Sequence, residues 1–385
     1  MSDFSLEPMV PRPLTAAEAP ATRMHQGIPS ITRLPSGRLF AVYYGGEIKG
    51  EGPGNYVVLC TSNDSGLTWK EIQVVAPDGR ETTERAFDSE IWVAPDGALW
   101  WFWTQSCSDR LWSTFDGRSG VWCARCESPD TDSPVWSAPR RIGDGIMMCK
   151  PIVLDDGTWV LPASVWAYLK ECNREKLPKD LLNLQGANVL LSHDAGKTFE
   201  RIQGPRVADV QPDAACFDEH MIVQRKDGSL WMLIRTLDGI WQSESFDRGR
   251  SWSLPIPTAF GKTCSRFCIM RLNSGKLMFV HHQARVNIPG DKIDLWKRDY
   301  LTAWISDDDG RNWHGRLCLD ERLGVSYPSA VQAEDGFIYV IYDHDRMRAG
   351  QVLLARFKEE DLEAGEFLTP GSYRQLLVDS FGVVR

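Results

Sequence analysis

The sequence lacks the features that mark membrane-spanning and nucleic-acid-binding proteins. No apolar run approaches the roughly 18 residues that a membrane-spanning helix requires. There is no basic excess either, because 43 Lys and Arg stand against 52 Asp and Glu, a net charge of −9 at pH 7. Nucleic-acid-binding proteins need a basic face. We therefore expect no membrane helix and no nucleic-acid partner.

Metal and phosphate motifs are also missing. The ten Cys are scattered, and the close pair Cys123 and Cys126 has no second pair at zinc-finger spacing. His281 and His282 are adjacent, so on a strand they point to opposite faces. No glycine-rich phosphate loop is present. We predict reduced, structural cysteines and neither a metal nor a cofactor.

The N-terminus lacks the basic-then-apolar pattern of a secretory signal. As written, the sequence predicts a cytoplasmic protein, and removal of a leader would instead indicate secretion. Helix-period patterns are almost absent, whereas 16 Trp, 32 Gly and 22 Pro favour many short strands joined by tight turns.

Six similar hairpins divide the chain at regular intervals. In each, two apolar runs flank a turn whose glycine provides the positive φ that the turn needs. The six turn glycines are Gly37, Gly97, Gly157, Gly228, Gly275 and Gly336. Their near-regular spacing indicates a repeat architecture.

Four of the six repeats also carry the pattern Ser-x-Asp-x-Gly-x-[Thr/Ser/Asn]-[Trp/Phe], or Asp-box. The four copies start at Ser62, Ser192, Ser245 and Ser306. We interpret each as a second hairpin whose Asp accepts backbone N–H bonds and whose aromatic residue packs between sheets. Six units of about four strands fill the 385 residues. The prediction is an all-β, six-bladed β-propeller of four-stranded antiparallel blades, forming one domain over residues 1–385, with an insertion at 174–183.

One hairpin delivers a charged pair. Glu219 lies eight residues before Asp227 and Arg235 eight residues after it. In a hairpin turning at Asp227 these two positions sit side by side at the open end. The same symmetry in the other blades brings Asp88, Lys150, Arg266 and Tyr327 to the mouth of the ring. So many ionisable groups in one funnel favour a functional site over a structural role.

The Asp-boxes and mouth residues together resemble the sialidase (neuraminidase) superfamily of Asp-box (BNR) repeat proteins, over nearly the whole chain. In that family a Glu opens the inner strand of the fourth blade and an Arg ends the next strand, as Glu219 and Arg235 do. Arg298 matches a second family Arg just before the last Asp-box strand. Tyr327 opens the sixth blade, the place of the family's Tyr nucleophile.

Two positions depart from the family pattern. Sialidases open the first blade with Arg-Ile-Pro, but here the tripeptide starts with Gly27, so the first of three carboxylate-binding arginines is missing. The acid/base Asp expected before the first Asp-box is also absent. Glu51, or with less support Glu47, stands in that loop. The resemblance therefore implies a divergent member.

The resemblance implies a role for each candidate residue. Tyr327 would be the nucleophile, Glu219 its base and Glu51 the acid that protonates the leaving group. The carboxylate of the substrate would be bound by Arg235 and Arg298, with Arg266 or Lys150 partly replacing the missing arginine, and sugar hydroxyls by Asp88; these five form the expected substrate-binding set.

The leading functional hypothesis is an exo-acting glycoside hydrolase that removes a terminal acidic sugar such as sialic acid, by a retaining mechanism. An alternative is a hydrolase or lyase that acts on uronic-acid glycans, with Tyr327 or His25 as base. Another is a non-catalytic glycan-binding propeller. All three expect an acidic glycan as partner. The linkage and oligomeric state stay open.

Overall fold

The computed structural model describes residues 7–78, 83–107, 119–166, 181, 183–283 and 297–381. These residues contain 24 strands in six four-stranded antiparallel sheets, each made of four consecutive strands. The fold is an all-β six-bladed β-propeller, which confirms the predicted fold class. Apart from 181 and 183, the predicted insertion at 174–183 lies outside the described residues.

Each blade is one continuous segment of chain, with its innermost strand first. The strands of blades 1 to 3 are β1 His25–Arg33, β2 Leu39–Gly46, β3 Tyr56–Ser62, β4 Lys70–Val75, β5 Glu84–Val93, β6 Leu99–Cys107, β7 Gly120–Cys126, β8 Arg140–Asp144, β9 Ile152–Val153, β10 Trp159–Pro162, β11 Val189–Ser192 and β12 Glu200–Ile202. Those of blades 4 to 6 are β13 His220–Gln224, β14 Leu230–Thr236, β15 Gly239–Ser245, β16 Ile256–Pro257, β17 Cys268–Arg271, β18 Leu277–His282, β19 Leu301–Ser306, β20 His314–Asp320, β21 Val325–Gln332, β22 Ile338–His344, β23 Gln351–Phe357 and β24 Tyr373–Ser380.

Helical structure in the described residues is confined to short segments. They are the α-helices α1 (Val207–Val210) and α2 (Glu359–Ala364) and the 3₁₀ turns Ala16–Glu18, Pro20–Thr22 and Pro212–Ala214. Over the part of the chain that the structure describes, no helix has the length and apolar character needed to cross a membrane.

The predicted turns adopt the predicted backbone. All six turn glycines have positive φ, between 83° and 102°, and each joins the first two strands of a blade. The four Asp-boxes join the third and fourth strands of blades 1, 3, 4 and 5. Because both kinds of turn follow strands that run away from the start of the inner strand, they lie at the end of the ring opposite the mouth.

Large aromatic side chains pack between neighbouring sheets. Trp159 of blade 3 meets Trp92 and Trp100 of blade 2 edge to face, at 4.8 and 5.5 Å between ring centroids. Edge-to-face pairs of this kind bury large apolar areas and add some directional attraction. The aromatic packing explains how a ring of thin sheets, each with two apolar faces, is held together.

The first and last blades are joined by buried ions. The guanidinium of Arg23 lies within 2.6 Å of Glu71 in blade 1 and 3.0 Å of Asp379 in blade 6. In addition, the Tyr373 hydroxyl donates to the carbonyl of Ser65 at 2.7 Å. This closure places β1 beside β21, so residues from opposite ends of the sequence share one wall of the mouth.

Candidate active site

The first strands of the blades start at one end of the ring, and the second strands end there. In blade 4 the Arg235 amide donates to the Glu219 carbonyl at 3.0 Å, which closes the open end of the hairpin. The two side chains lie side by side, as the symmetry about Asp227 predicts. Across the mouth, Tyr327 enters from β21 of blade 6.

Three of the predicted residues form one hydrogen-bonded group. The Tyr327 hydroxyl donates to Glu219 Oε1 at 2.9 Å, and Arg235 Nη1 donates to both the Tyr327 oxygen and Glu219 Oε1 at 2.6 Å. All three side chains are buried. A phenol, a carboxylate that can accept its proton and a fixed cation are thus in direct contact.

The electrostatics of this group determine where the proton is. Burial raises the pKa of Tyr327 above its ordinary value, and the opposing charge of Arg235 does not cancel that effect. The phenol is therefore protonated at neutral pH. An activated nucleophile of this kind needs an adjacent base, and Glu219 is in hydrogen-bonding position for that role.

A repeated backbone distortion directs side chains into the mouth. Register shifts interrupt the first strands of blades 1, 2 and 6, and at each shift one residue has positive φ. These residues are Ile28 (52°), Asp88 (45°) and Tyr327 (55°). A β-bulge re-aims the side chain next to it, and such strained positions cluster at functional sites. The sequence pattern alone did not indicate these bulges.

Arg298 lies beside the same ring. Its guanidinium carbon is 5.2 Å from the Tyr327 ring centroid, compared with 5.8 Å for Arg235. Its Nη2 donates to the carbonyl of Cys264 at 3.1 Å. The structure therefore brings the two arginines expected to bind a carboxylate to one side of Tyr327.

A pair of cysteines supports this wall of the mouth. The sulfur atoms of Cys216 and Cys264 are 3.8 Å apart, and Arg235 Nε donates to Cys264 Sγ at 3.4 Å. The hydrogen bond from Cys216, helped by the charge of Arg235, lowers the pKa of Cys264 to about 6 despite burial. A partly anionic sulfur thereby helps to hold the guanidinium of Arg235.

Arg266 and Lys150 lie deeper than the predicted substrate position. Arg266 pairs with Glu90 at 3.0 Å, and its Nη2 donates to backbone carbonyls, including that of Tyr327 at 3.2 Å. Lys150 donates to the carbonyls of Ile31 and Ala330, and burial lowers its pKa to about 8. Both cations satisfy carbonyls inside the ring behind Tyr327, so their placement argues for a structural role.

Two carboxyl groups on the other side of the mouth differ in protonation. Asp88 is 2 % exposed, and burial, reinforced by the charge of Glu51, raises its pKa well above the ordinary value. The side chain of Glu51 is 42 % exposed. Desolvation raises its pKa, but the charges of Arg85 and Arg346 outweigh this and the net change in the pKa of Glu51 is downward. At neutral pH Asp88 is therefore the protonated carboxyl group of the two, and Glu51 is ionised.

The structure reveals one site residue that the sequence interpretation missed. The guanidinium carbon of Arg346, in the loop between β22 and β23, lies 4.0 Å from the Tyr327 ring centroid. A Cβ added to Gly27 would approach Arg346 Cγ to 2.8 Å. A sequence signal was available, because Arg346 lies three positions after Asp343, the residue that hairpin symmetry about Asp335 places opposite Tyr327, but only ring closure places Arg346 next to Gly27.

The described residues form no metal-binding centre. Within the described ranges, no group of three or more His, Cys, Asp or Glu side chains could hold a metal ion.

A family model described as the BNR repeat-like domain matches residues 37–340. No curated protein matches the chain.

Solved structures with the same fold include several sialidases. The Hadza microbial sialidase Hz136 superposes with a TM-score of 0.66 and 17 % identity, covering 89 % of this chain and 67 % of its own. The intramolecular trans-sialidase of Ruminococcus gnavus, in complex with oseltamivir carboxylate, gives 0.62 and 12 %, covering 92 % and 98 %. The NanB sialidase of Streptococcus pneumoniae gives 0.63 and 11 %, covering 90 % and 70 %. At these identities the likeness concerns the fold.

Proposed function

The chain belongs to the BNR repeat-like domain family, and from the chemistry of its mouth we propose an exo-acting glycoside hydrolase that removes a terminal acidic sugar, such as sialic acid, from glycans. One observation carries the proposal. The Tyr327 hydroxyl is hydrogen-bonded to Glu219 and Arg235, with the Arg298 guanidinium beside the ring. This combination provides a nucleophile, a base and cations for a carboxylate.

The first chemical step forms a bond from the Tyr327 oxygen to the anomeric carbon. Glu219 takes the phenolic proton as the bond to the departing glycosidic oxygen breaks. Water then attacks the anomeric carbon and gives a proton to Glu51. The bond to the Tyr327 oxygen breaks, its electron pair returns to that oxygen, and Glu219 gives back the phenolic proton. A phenol suits an anomeric carbon that bears a carboxylate, because an anionic Asp or Glu nucleophile would be repelled. Tyrosine nucleophiles are known as the sialidase exception to the two-carboxylate rule.

Arg235 and Arg298 bind the carboxylate of the substrate in this proposal. A planar guanidinium presents paired N–H donors that match two carboxylate oxygens. Both cations adjoin the Tyr327 ring, so the bound carboxylate lies next to the carbon under attack. This arrangement accounts for selectivity towards acidic sugars.

Glu51 protonates the leaving group. Arg85 and Arg346 lower the pKa of Glu51 in the free protein, which disfavours its acid form. An anionic substrate offsets part of that positive charge and thereby raises the pKa of Glu51 in the complex. Asp88, which already carries a proton, binds a sugar hydroxyl and is the competing acid.

One feature favours a second candidate, a lyase acting on uronic-acid glycans. His25 is 2 % exposed, and neither ring nitrogen has a hydrogen-bond partner among the described residues. Burial, with the charges of Arg346 and Arg85, lowers its pKa to about 4, so the imidazole is neutral. A neutral imidazole can accept a proton from a carbon next to a uronate carboxylate.

A hydrolysis screen of fluorogenic sialosides and uronides, with product analysis by NMR, tests the proposal. We expect release of an acidic sugar from a sialoside, with the retained anomer appearing first. An inverted first product would contradict the tyrosine mechanism. Unsaturated products from uronides, abolished in His25→Ala, would instead establish the lyase, and binding of sialosides without turnover would establish a glycan-binding protein.

A further inference from the structure

The position that lacks an arginine is filled by another one. An ideal Cβ on Gly27 would lie 2.8 Å from Arg346 Cγ, 2.9 Å from Arg346 Cδ and 2.8 Å from Oδ2 of Asp343, the carboxylate that holds Arg346. Contacts under 3.0 Å essentially never occur at a real Cβ. The side chain of Arg346 thus occupies the space into which a side chain at position 27 would extend. We propose that Arg346 is the third carboxylate-binding arginine of this site, supplied by blade 6 in place of blade 1.

The guanidinium of Arg346 is held in a fixed orientation. Its Nε donates to Asp343 Oδ2 at 2.7 Å, and its Nη2 donates to Ser326 Oγ at 3.1 Å. Asp343 is itself fixed, because it also accepts from the Ile28 amide at 2.8 Å and from the Ser326 hydroxyl at 2.6 Å. Two anchors on one edge of the guanidinium leave the Nη1 edge directed towards the mouth.

The loop that carries Arg346 is tied to its own blade and to blade 1. The Asp345 amide donates to the Gly324 carbonyl at 3.0 Å, and the Arg346 carbonyl accepts from the Gln26 amide at 3.1 Å. The second bond crosses from blade 6 to blade 1. A cation on such a loop is pre-organised, so little freedom is lost when it binds an anion.

The Nη1 edge faces the reacting centre. The guanidinium carbon stacks 4.0 Å from the Tyr327 ring centroid, closer than those of Arg235 and Arg298. Nη1 lies 4.0 Å from Glu51 Oε1, which is beyond a hydrogen bond. The side chain is 14 % exposed, so an anion can reach it. Arg346 therefore lies between the nucleophile and the proposed acid, where a substrate carboxylate would meet three guanidinium groups.

This inference rests on the proposed function, and it explains why position 27 is a glycine. An arginine at position 27 and one at position 346 exclude each other, because their side chains compete for one space. Gly27 then leaves the space that Arg346 needs, and it is not simply the loss of an arginine. Clearing position 346 leaves only the end of the Asp343 side chain close to a Cβ at position 27, so an arginine moved back to position 27 should displace that carboxylate and restore carboxylate binding.

Calorimetric titration with two matched probes tests the assignment. Oseltamivir carboxylate carries the acid, and its ethyl ester lacks that charge. We expect the wild type to prefer the acid. Arg346→Ala should reduce this preference at least about tenfold, as Arg298→Ala should, because truncating one partner of a charged hydrogen-bonded pair weakens binding strongly. Arg348→Ala is the matched control, since Arg348 belongs to the same loop but is 84 % exposed.

The double variant Gly27→Arg with Arg346→Gly separates a binding role from a structural one. Recovery of the acid preference in the double variant would support the exchange. Full acid preference retained in a folded Arg346→Ala would overturn the role of Arg346 and leave the proposed function standing. A wild type without preference for the acid over the ester would overturn both.

Discussion

The two ends of this propeller differ in where their polar side chains find hydrogen-bond partners. In the Asp-box of blade 1, Asp64 accepts from the Thr68 amide at 2.9 Å and from its hydroxyl at 2.6 Å. Both partners lie four residues away. At the mouth, Tyr327 bonds to Glu219 from a sequence distance of 108 residues. The polar groups of the box bond to one another within a single turn, whereas the polar groups of the mouth come from several blades.

The difference also appears in proton affinity. Hydrogen bonds from within the box lower the pKa of Asp194 and of Asp308 to about 2, so each carboxylate is firmly ionised. Burial at the mouth instead raises the pKa of Asp88 and of Tyr327. Backbone strain does not separate the two ends, because Ser65 in a box also has positive φ, at 61°. What separates them is whether the polar groups have local partners.

The largest expected effect is loss of turnover in Tyr327→Phe. Removing the nucleophilic oxygen should lower kcat by about a thousandfold or more, while folding and probe binding survive. Steady-state kinetics on the most active substrate of the screen measures this. Tyr339→Phe is the control, because Tyr339 is an equally buried tyrosine of the same blade outside the mouth. Equal turnover of wild type and Tyr327→Phe would show that Tyr327 is not the nucleophile.

A smaller effect distinguishes the two carboxyl groups. Glu51→Gln should lower kcat by about a hundredfold on substrates with poor leaving groups and far less on activated aryl glycosides, which need little acid help. Asp88→Asn should lower turnover of both kinds of substrate by a similar factor, as expected for a group that binds hydroxyls. If instead Asp88→Asn impaired mainly the substrates with poor leaving groups, Asp88 would be the acid.

Protonation of buried histidines should destabilise the protein in acid. Burial lowers the pKa of His25 and of His220 from 6.5 to about 4. The unfolded state therefore binds more protons between pH 6.5 and 4, so stability is full above pH 6.5 and falls as the pH decreases towards 4. Each histidine contributes about 1.4 kcal/mol per pH unit in that window, as an upper bound. Urea unfolding across this range should show that the unfolding free energy falls less steeply with decreasing pH in His220→Gln than in the wild type.

The smallest effect is expected at an Asp-box. Asp64→Ala removes an acceptor for one amide and two hydroxyls at a partly exposed turn, at a cost of about 1 kcal/mol in unfolding free energy. Thermal melts should show a drop of a few degrees or less, with kcat unchanged. A large loss of activity in this variant would mean that the boxes and the mouth are coupled.

The contrast explains how much the sequence could predict. The turn glycines, the boxes and the pair Glu219 and Arg235 follow from spacing within one hairpin, and the fold was predicted correctly from them. The placement of Arg346, the depth of Arg266 and the protonation of Asp88 depend on bulges and on ring closure between blades 6 and 1. No local pattern encodes those contacts, because the partners come from different blades.

The central claim, that Tyr327 attacks the substrate, is tested most directly by trapping its covalent intermediate. A fluorinated sialosyl fluoride slows breakdown of the glycosyl–enzyme, so the adduct accumulates. Tryptic cleavage after Arg322 and Arg346 isolates a peptide with three tyrosines, Tyr327, Tyr339 and Tyr342. We predict that fragmentation places the sugar on Tyr327, and that Tyr327→Phe remains unlabelled. A sugar on Glu219, Glu51 or Asp88, or equal labelling of Tyr327→Phe, would contradict the account.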